Sequence, residues 1–285
     1  MMITNFEEYQ DRFGDKHEVV PNILDEYIGL NRTSLVSIAS RPGIGKTALA
    51  LNLALNFAMQ SKKSVYIFSY EMLSEHIFGR LLSRLSGVDM NTIRSRDYSN
   101  EDLSKICRCR EIINSLNIIV DDEEYNGISD MEVRLAKVDN LGMVVVDYLG
   151  LMMPWNYEAQ RNDNLQNAVL GMRGISRKFG IPVLFTKQLS KRVEYRKNKR
   201  PTFNDFNDCV IKNVDVALTL YREGFYRALS DKKQENVAEV NVMLNKYGGT
   251  GKVYLEWDGD HMEFHKRGEK NEYKSLPLCS ACKSR

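Results

Sequence analysis

Ser40-Arg41-Pro42-Gly43-Ile44-Gly45-Lys46-Thr47 is the stretch of this sequence best equipped for chemistry. Gly43 and Gly45 lack the Cβ atoms that would stop backbone N–H groups from turning into one bend, and such a bend holds phosphate oxygens. Lys46 can reach the outer phosphates of a nucleoside triphosphate, and the Thr47 hydroxyl is an oxygen ligand of the kind Mg²⁺ takes. The stretch follows an apolar run, Leu35 to Ala39, and opens a helical pattern, Ala48 to Met59. Strand, glycine turn and helix are the context a phosphate loop needs, because the helix N-terminus adds its dipole. The usual first glycine of the motif is Ser40 here. A plain helix-capping turn is the alternative for the same residues.

Three more polar residues stand beyond apolar runs. Asp147 closes Met143-Val144-Val145-Val146, where an acid can complete the Mg²⁺ shell; the alternative is an ordinary cap or surface acid. Glu71 follows Ser64 to Ser69 and is a candidate general base, able to polarise water against the terminal phosphate. Gln188 follows the run Ile181 to Thr186. In a doubly wound sheet ligands bind beyond the carboxyl ends of the strands, so Lys46, Thr47, Glu71, Asp147 and Gln188 are expected to converge. The one strongly basic segment holds Lys187, Lys191, Arg192, Arg196, Lys197, Lys199 and Arg200, with Tyr195 among them. Cations with an interleaved ring suit a single nucleic-acid strand held without sequence preference. A solvated loop is the alternative.

The elements that must position these groups are legible from periodicity. Continuous apolar runs alternate with helical patterns, which predicts an α/β fold: a mostly parallel sheet with helices on both faces. Helices are expected from about Ser74 to Leu85, from an Asn100 N-cap to Ile113, from Ile128 to Val138, and from Leu165 to Phe179, where Gly180 stops the last. Asn117 to Val120 reads as a short strand. Past residue 208 only strands are expected: Val214–Tyr221, Val237–Leu244, Lys252–Trp257 and Met262–His265, extending the sheet with antiparallel hairpins. Three regions follow: an arm over 1–33, an ATPase domain over 34–265, and a charged, aperiodic and disordered tail over 266–285. Phe6, Tyr9 and Phe13 give the arm one helical face, either to cap its own domain or to dock on a neighbour.

Across the 285 residues, 40 Lys and Arg oppose 38 Asp and Glu, so any nucleic-acid surface must be local. No run has the length of a membrane span, and the first ten residues lack a signal-peptide core. No membrane partner is expected. Five scattered cysteines suggest reduced thiols in a cytoplasm, bacterial or that of a host. Cys279 and Cys282 form a lone C-x-x-C without the second ligand pair that zinc takes.

The order Arg41-Pro42-Gly43 to Thr47, Ser69-Tyr70-Glu71-Met72, Val146-Asp147-Tyr148-Leu149-Gly150-Leu151, then Gln188-Leu189-Ser190-Lys191 resembles the DnaB-type replicative helicase family over roughly residues 20–265. The resemblance implies a RecA-like P-loop motor domain without the family's N-terminal helical domain. It implies homohexameric rings, ATP and Mg²⁺ at subunit interfaces, single-stranded DNA in the channel, and a primase, loader or other replication proteins as partners. It implies that Glu71 is the catalytic base and that Gln188 couples nucleotide state to DNA. The DNA-contacting set becomes Lys191, Arg192, Tyr195, Arg196, Lys197, Lys199, Arg200 and Asn207. Two departures stand out. The family's pore-loop pattern appears as Asp205-Phe206-Asn207-Asp208-Cys209-Val210, with Asn207 for a basic residue and Val210 for glycine. The family's Lys-x-Arg finger falls in Leu244 to Gly251, which holds no arginine; Lys246 is the candidate there. Two other readings remain: a helicase-like ATP-binding module that hydrolyses weakly and loads, blocks or co-assembles with another ring, and a RecA- or RadA-type recombination ATPase.

Overall fold

The computed structural model describes Leu24 and residues 33–123, 127–151, 161–206, 208–227, 236–266 and 268. The arm helix through Phe6, Tyr9 and Phe13, the Cys279–Cys282 pair and Asn207 lie outside them. Nine strands form one sheet: β1 Leu35–Ser40, β2 Ser64–Ser69, β3 Ile118–Asp121, β4 Leu141–Asp147, β5 Val183–Gln188, β6 Val216–Arg222, β7 Val237–Asn245, β8 Gly251–Asp258 and β9 Glu263–Lys266. Their order is β3-β2-β4-β5-β1-β6-β7-β8-β9. β3, β2, β4, β5, β1 and β6 run parallel; β7, β8 and β9 continue antiparallel. β6 is therefore parallel to β1 and only its other edge begins the expected hairpins.

Burial explains the split. β1 and β2 are buried at every residue, as strands covered on both faces must be. β7 alternates buried and half-buried positions, the signature of one covered face. One face packs against the Lys46–Ser61 helix, buried from Lys46 through Ala58. The other packs against the Arg161–Phe179 helix through Val169, Met172 and Ile175. Gly180 ends that helix at φ 65. Pro182 has no N–H to offer a ladder, and β5 starts after it, which carries Gln188 into the strand.

Some local expectations shift. The helix over Asn100–Ser115 is capped by Ser99, not Asn100: Ser99 and Asp102 form a capping box. Short helices at Met90–Ser95, Asp208–Asn213 and Glu223–Arg227 are additional to the expected ones. The first is set by Asp89, whose side chain accepts from the Asn91 and Thr92 amides. Among the described residues no helix is long and apolar enough to cross a membrane.

Candidate nucleotide and nucleic-acid site

Strand register assembles the site. Ser40 pairs with Gln188 across β1 and β5, and Ser69 pairs with Asp147 across β2 and β4. The four strand ends lie in one row at the carboxyl edge of the sheet. The Tyr70 N–H donates to the Asp147 carbonyl at 2.7 Å, which holds Glu71 beside that edge.

The phosphate loop crosses the row. Gly43 has φ 76 and Gly45 φ 113, values that L side chains rarely adopt. A Cβ on Gly43 would stand 2.9 Å from the Phe225 ring, and one on Gly45 2.8 Å from the Phe264 ring. Lys46 Nζ donates to Glu71 Oε2 at 3.0 Å, and Thr47 Oγ1 donates to Asp147 Oδ2 at 2.8 Å. Thr186 Oγ1 donates to the other Asp147 oxygen. Asp147 is 1% exposed, and burial pushes its carboxyl above the usual range despite those hydroxyls and the Lys46 charge. Lys46 also lies 5.2 Å over the Tyr148 ring.

The basic segment divides. It runs from β5 through a 3-10 turn, Lys191–Tyr195. Lys191, Arg192, Tyr195 and Lys197 are exposed. Arg196, by contrast, pairs with Asp205 at 2.7 Å. Arg200 pairs with Glu239 and Glu223 and stacks 4.6 Å over Tyr221. Lys199 sits 5.1 Å over Tyr226. Charge runs are often solvated faces; here half of the run ties the segment to β6 and β7. A groove of about 960 Å³ lies beside the phosphate loop, bounded by Arg41, Tyr148, Lys187, Gln188, Lys191, Arg192 and Phe206 among others.

The sequence matches the model of the DnaB-like helicase C terminal domain over residues 21–266. The chain belongs to that family. It is 30% identical over 272 residues to the replicative DNA helicase DnaC of Bacillus subtilis, covering 91% of this chain and 59% of that protein. It is 32% identical over 243 residues to the replicative DNA helicase DnaB of Buchnera aphidicola, covering 83% and 52%. The chain thus spans little more than half the length of these relatives. Among solved structures, a stand-alone ATPase domain superposes with a TM-score of 0.81 at 25% identity, covering 93% of this chain and 99% of that one. A DnaB-like replicative helicase solved for its interactions with primase has the same fold, with a TM-score of 0.81. The fold is therefore the RecA-like one of DnaB helicases, and the family match favours it over a RecA- or RadA-type assignment.

Within the DnaB-like frame two departures take on geometry. Val210 is fully buried in the Asp208–Asn213 helix, so its side chain fills core. Lys246 stands away from the phosphate loop: its N–H donates to the Asp215 carbonyl at 2.9 Å and its Nζ to Asp215 Oδ1 at 3.4 Å. Sequence reasoning missed two cations. Arg80, on the Ser74–Ser86 helix, is half-buried; burial lowers its pKa while the charges of Asp147 and Glu71 oppose that shift. Its Nε has no hydrogen-bond partner among the described residues. Arg222 ends β6, donates to the Ile44 carbonyl at 3.4 Å and lies 4.5 Å over Trp257. Burial pushes its pKa down to about 10. The Arg80 helix shows only its apolar stripe in the sequence, and Arg222 reads as the polar end of a strand.

Proposed function

We propose that the chain is the motor of a DNA helicase acting in replication, hydrolysing ATP at this site and moving on single-stranded DNA as a homohexameric ring. The observation that carries the reading is the pair of contacts Lys46–Glu71 and Thr47–Asp147 at adjacent strand ends. The residues fit Mg²⁺: a buried carboxylate and a hydroxyl are the hard oxygen donors it takes, and the Asp147 charge is costly without a cation. Mg²⁺ held there would neutralise charge on the β- and γ-phosphate oxygens.

The chain's own residues account for the rest. Glycines 43 and 45 leave room for phosphate against the loop backbone. Lys46 exchanges Glu71 for phosphate oxygens as ATP enters, which frees the Glu71 carboxylate. Glu71 then accepts a proton from water as the water oxygen bonds to the γ-phosphorus and the bridging P–O bond breaks, giving ADP and phosphate. Arg80 offers its unpartnered Nε to the charge that develops beside Glu71. Arg222 and Trp257 present flat faces on which an adenine ring can stack. Gln188, at the end of β5 between the loop and the groove, senses the terminal phosphate. Lys191, Arg192, Tyr195 and Lys197 grip the strand, and a primase or helicase loader acts with the ring.

Lys246 favours a second reading. It is a point charge where the resemblance implies an arginine, and Asp215 already holds it. A ring that binds ATP and hydrolyses it weakly would then load or block another helicase. Steady-state hydrolysis with and without single-stranded DNA, beside Lys46→Ala, separates the two. DNA-stimulated turnover that disappears in the variant is expected; ATP binding without turnover in assembled rings refutes the motor.

A further inference from the structure

The phosphate loop and the exposed basic turn are bolted together. The Leu189 N–H donates to the Ser40 carbonyl at 2.9 Å. Arg41, inside the loop, returns the contact: its Nη1 donates to the Leu189 carbonyl at 2.6 Å and its Nε to Glu194 Oε1 at 2.8 Å. Arg41 is 5% exposed, so this charge is out of water and Glu194 is the carboxylate bonded to it. Glu194 sits on the same short turn as Lys191, Arg192 and Tyr195, with Val193 fully buried beneath. The turn is thus held from below by Val193 and Glu194 and shows its cations outward.

We propose that Arg41 and Glu194 form a brace through which the content of the phosphate loop sets the placement of the basic turn, and so the grip on single-stranded nucleic acid. Glu194 is a positioning residue: it touches neither ligand. This rests on the nucleotide and DNA reading above. The physics is direct. A guanidinium fork fixes the direction of both its bonds, so a small shift of the loop backbone is passed on as a shift of Leu189 and Glu194 together. A polyphosphate in the loop attracts Arg41 and repels the Glu194 carboxylate, which Arg41 otherwise holds below its usual pKa. ATP and ADP differ by the outermost charge, so they load the brace differently. By linkage, the factor by which nucleotide changes affinity for the strand equals the factor by which the strand changes affinity for nucleotide.

The test uses the full chain and a fluorescent oligothymidylate. Its Kd is measured with a non-hydrolysable ATP analogue and with ADP, for the wild type, Glu194→Gln and Glu194→Ala. The wild type should show a ratio of Kd values of at least about 5-fold, the low end of ordinary coupling. Glu194→Ala should bring the ratio within about 2-fold of unity, with basal hydrolysis and nucleotide affinity in the absence of DNA unchanged. Glu194→Gln, which keeps an acceptor and drops the charge, should lie between. A merely structural lesion weakens both states alike and leaves the ratio intact, so the ratio is the readout. A wild-type ratio preserved in Glu194→Ala overturns the brace alone, as does a wild type that binds DNA equally with both nucleotides. A wild type that binds no single strand overturns the DNA reading and the brace with it.

Discussion

Glu71→Gln should separate binding from chemistry. Glu71 stands 3.0 Å from Lys46 Nζ, with 46% of its side chain exposed against 10% for the lysine. Phosphate must displace that carboxylate before Lys46 can hold it, so the pair opposes ATP entry by the worth of a partly exposed ion pair. Such pairs contribute about 0.2–1 kcal/mol. Glutamine keeps the shape and removes the charge, so ATP should bind the same or up to about 5-fold tighter, about 1.4 kcal/mol being tenfold. Turnover loses its base, which is worth about 10²–10⁴-fold. The opposite signs are the content of the prediction: affinity rises slightly while kcat falls steeply. Titration calorimetry with ATP and a steady-state assay of released phosphate measure the two. Turnover within about 3-fold of wild type would show that Glu71 is not the base, since even a weak general base supplies more. ATP affinity weakened about 10-fold or more would refute the displacement of Glu71 by phosphate, whatever happened to kcat.

Other perturbations test single contacts. Gly45→Ala forces a side chain to φ 113 and its Cβ against the Phe264 ring, so ATP binding should disappear and stability fall by about 1–3 kcal/mol; calorimetry and a thermal melt check both. Asp215 is 5% exposed and bonded to Arg173, to the Leu35 amide and to Lys246; Asp215→Asn should cost about 3 kcal/mol at neutral pH in a denaturant melt. Burial pushes that carboxyl up, but the Arg173 bond leads the interactions that hold it below its usual range. A lowered native pKa stabilises above the unfolded value of about 4 and ceases to as pH falls through the native one, so the variant and wild type should converge in acid. Ser99→Ala removes the capping box and should cost about 1 kcal/mol with ATP hydrolysis unchanged.

What the sequence discloses depends on how local the cause is. Buried strands announce themselves because both faces are covered and nearly every residue is apolar, as in the run from Met143 to Val146. The phosphate loop is legible because its glycines serve a backbone need that no other residue meets cheaply. The expected cap at Asn100 is one residue late because Ser99 and Asn100 are both good caps, and only the reciprocal bond with Asp102 decides between them. The basic segment misleads in part. Composition shows seven cations, but the carboxylates that engage Arg196 and Arg200 are Asp205, Glu223 and Glu239, the last two brought in by β6 and β7 pairing. Arg80 is hidden for a related reason: its neighbours Asp147 and Glu71 come from other strands.

The position of Lys246 argues for an assembly. Its backbone is bonded to Asp215, and the Asp215 N–H donates at 2.9 Å to the carbonyl of Leu35, the first residue of β1. The phosphate loop begins where β1 ends, after Ser40. Five strand steps of about 3.3 Å separate the two ends, roughly 17 Å, more than a lysine side chain spans. Lys246 therefore cannot serve the phosphate loop of its own chain. If it acts in hydrolysis it acts on a neighbour, and the contact that delivers it joins one end of the sheet to the other end of the next. Such a contact is head-to-tail, and it closes into a ring when its rotation allows. Mixed subunits make this testable. Lys46→Ala lacks the phosphate grip but keeps Lys246; Lys246→Ala keeps the grip but lacks the point charge. Each alone should be nearly inactive, while a mixture should regain hydrolysis at interfaces that pair an intact loop with an intact Lys246. Full activity of Lys246→Ala alone would remove this lysine from the reaction.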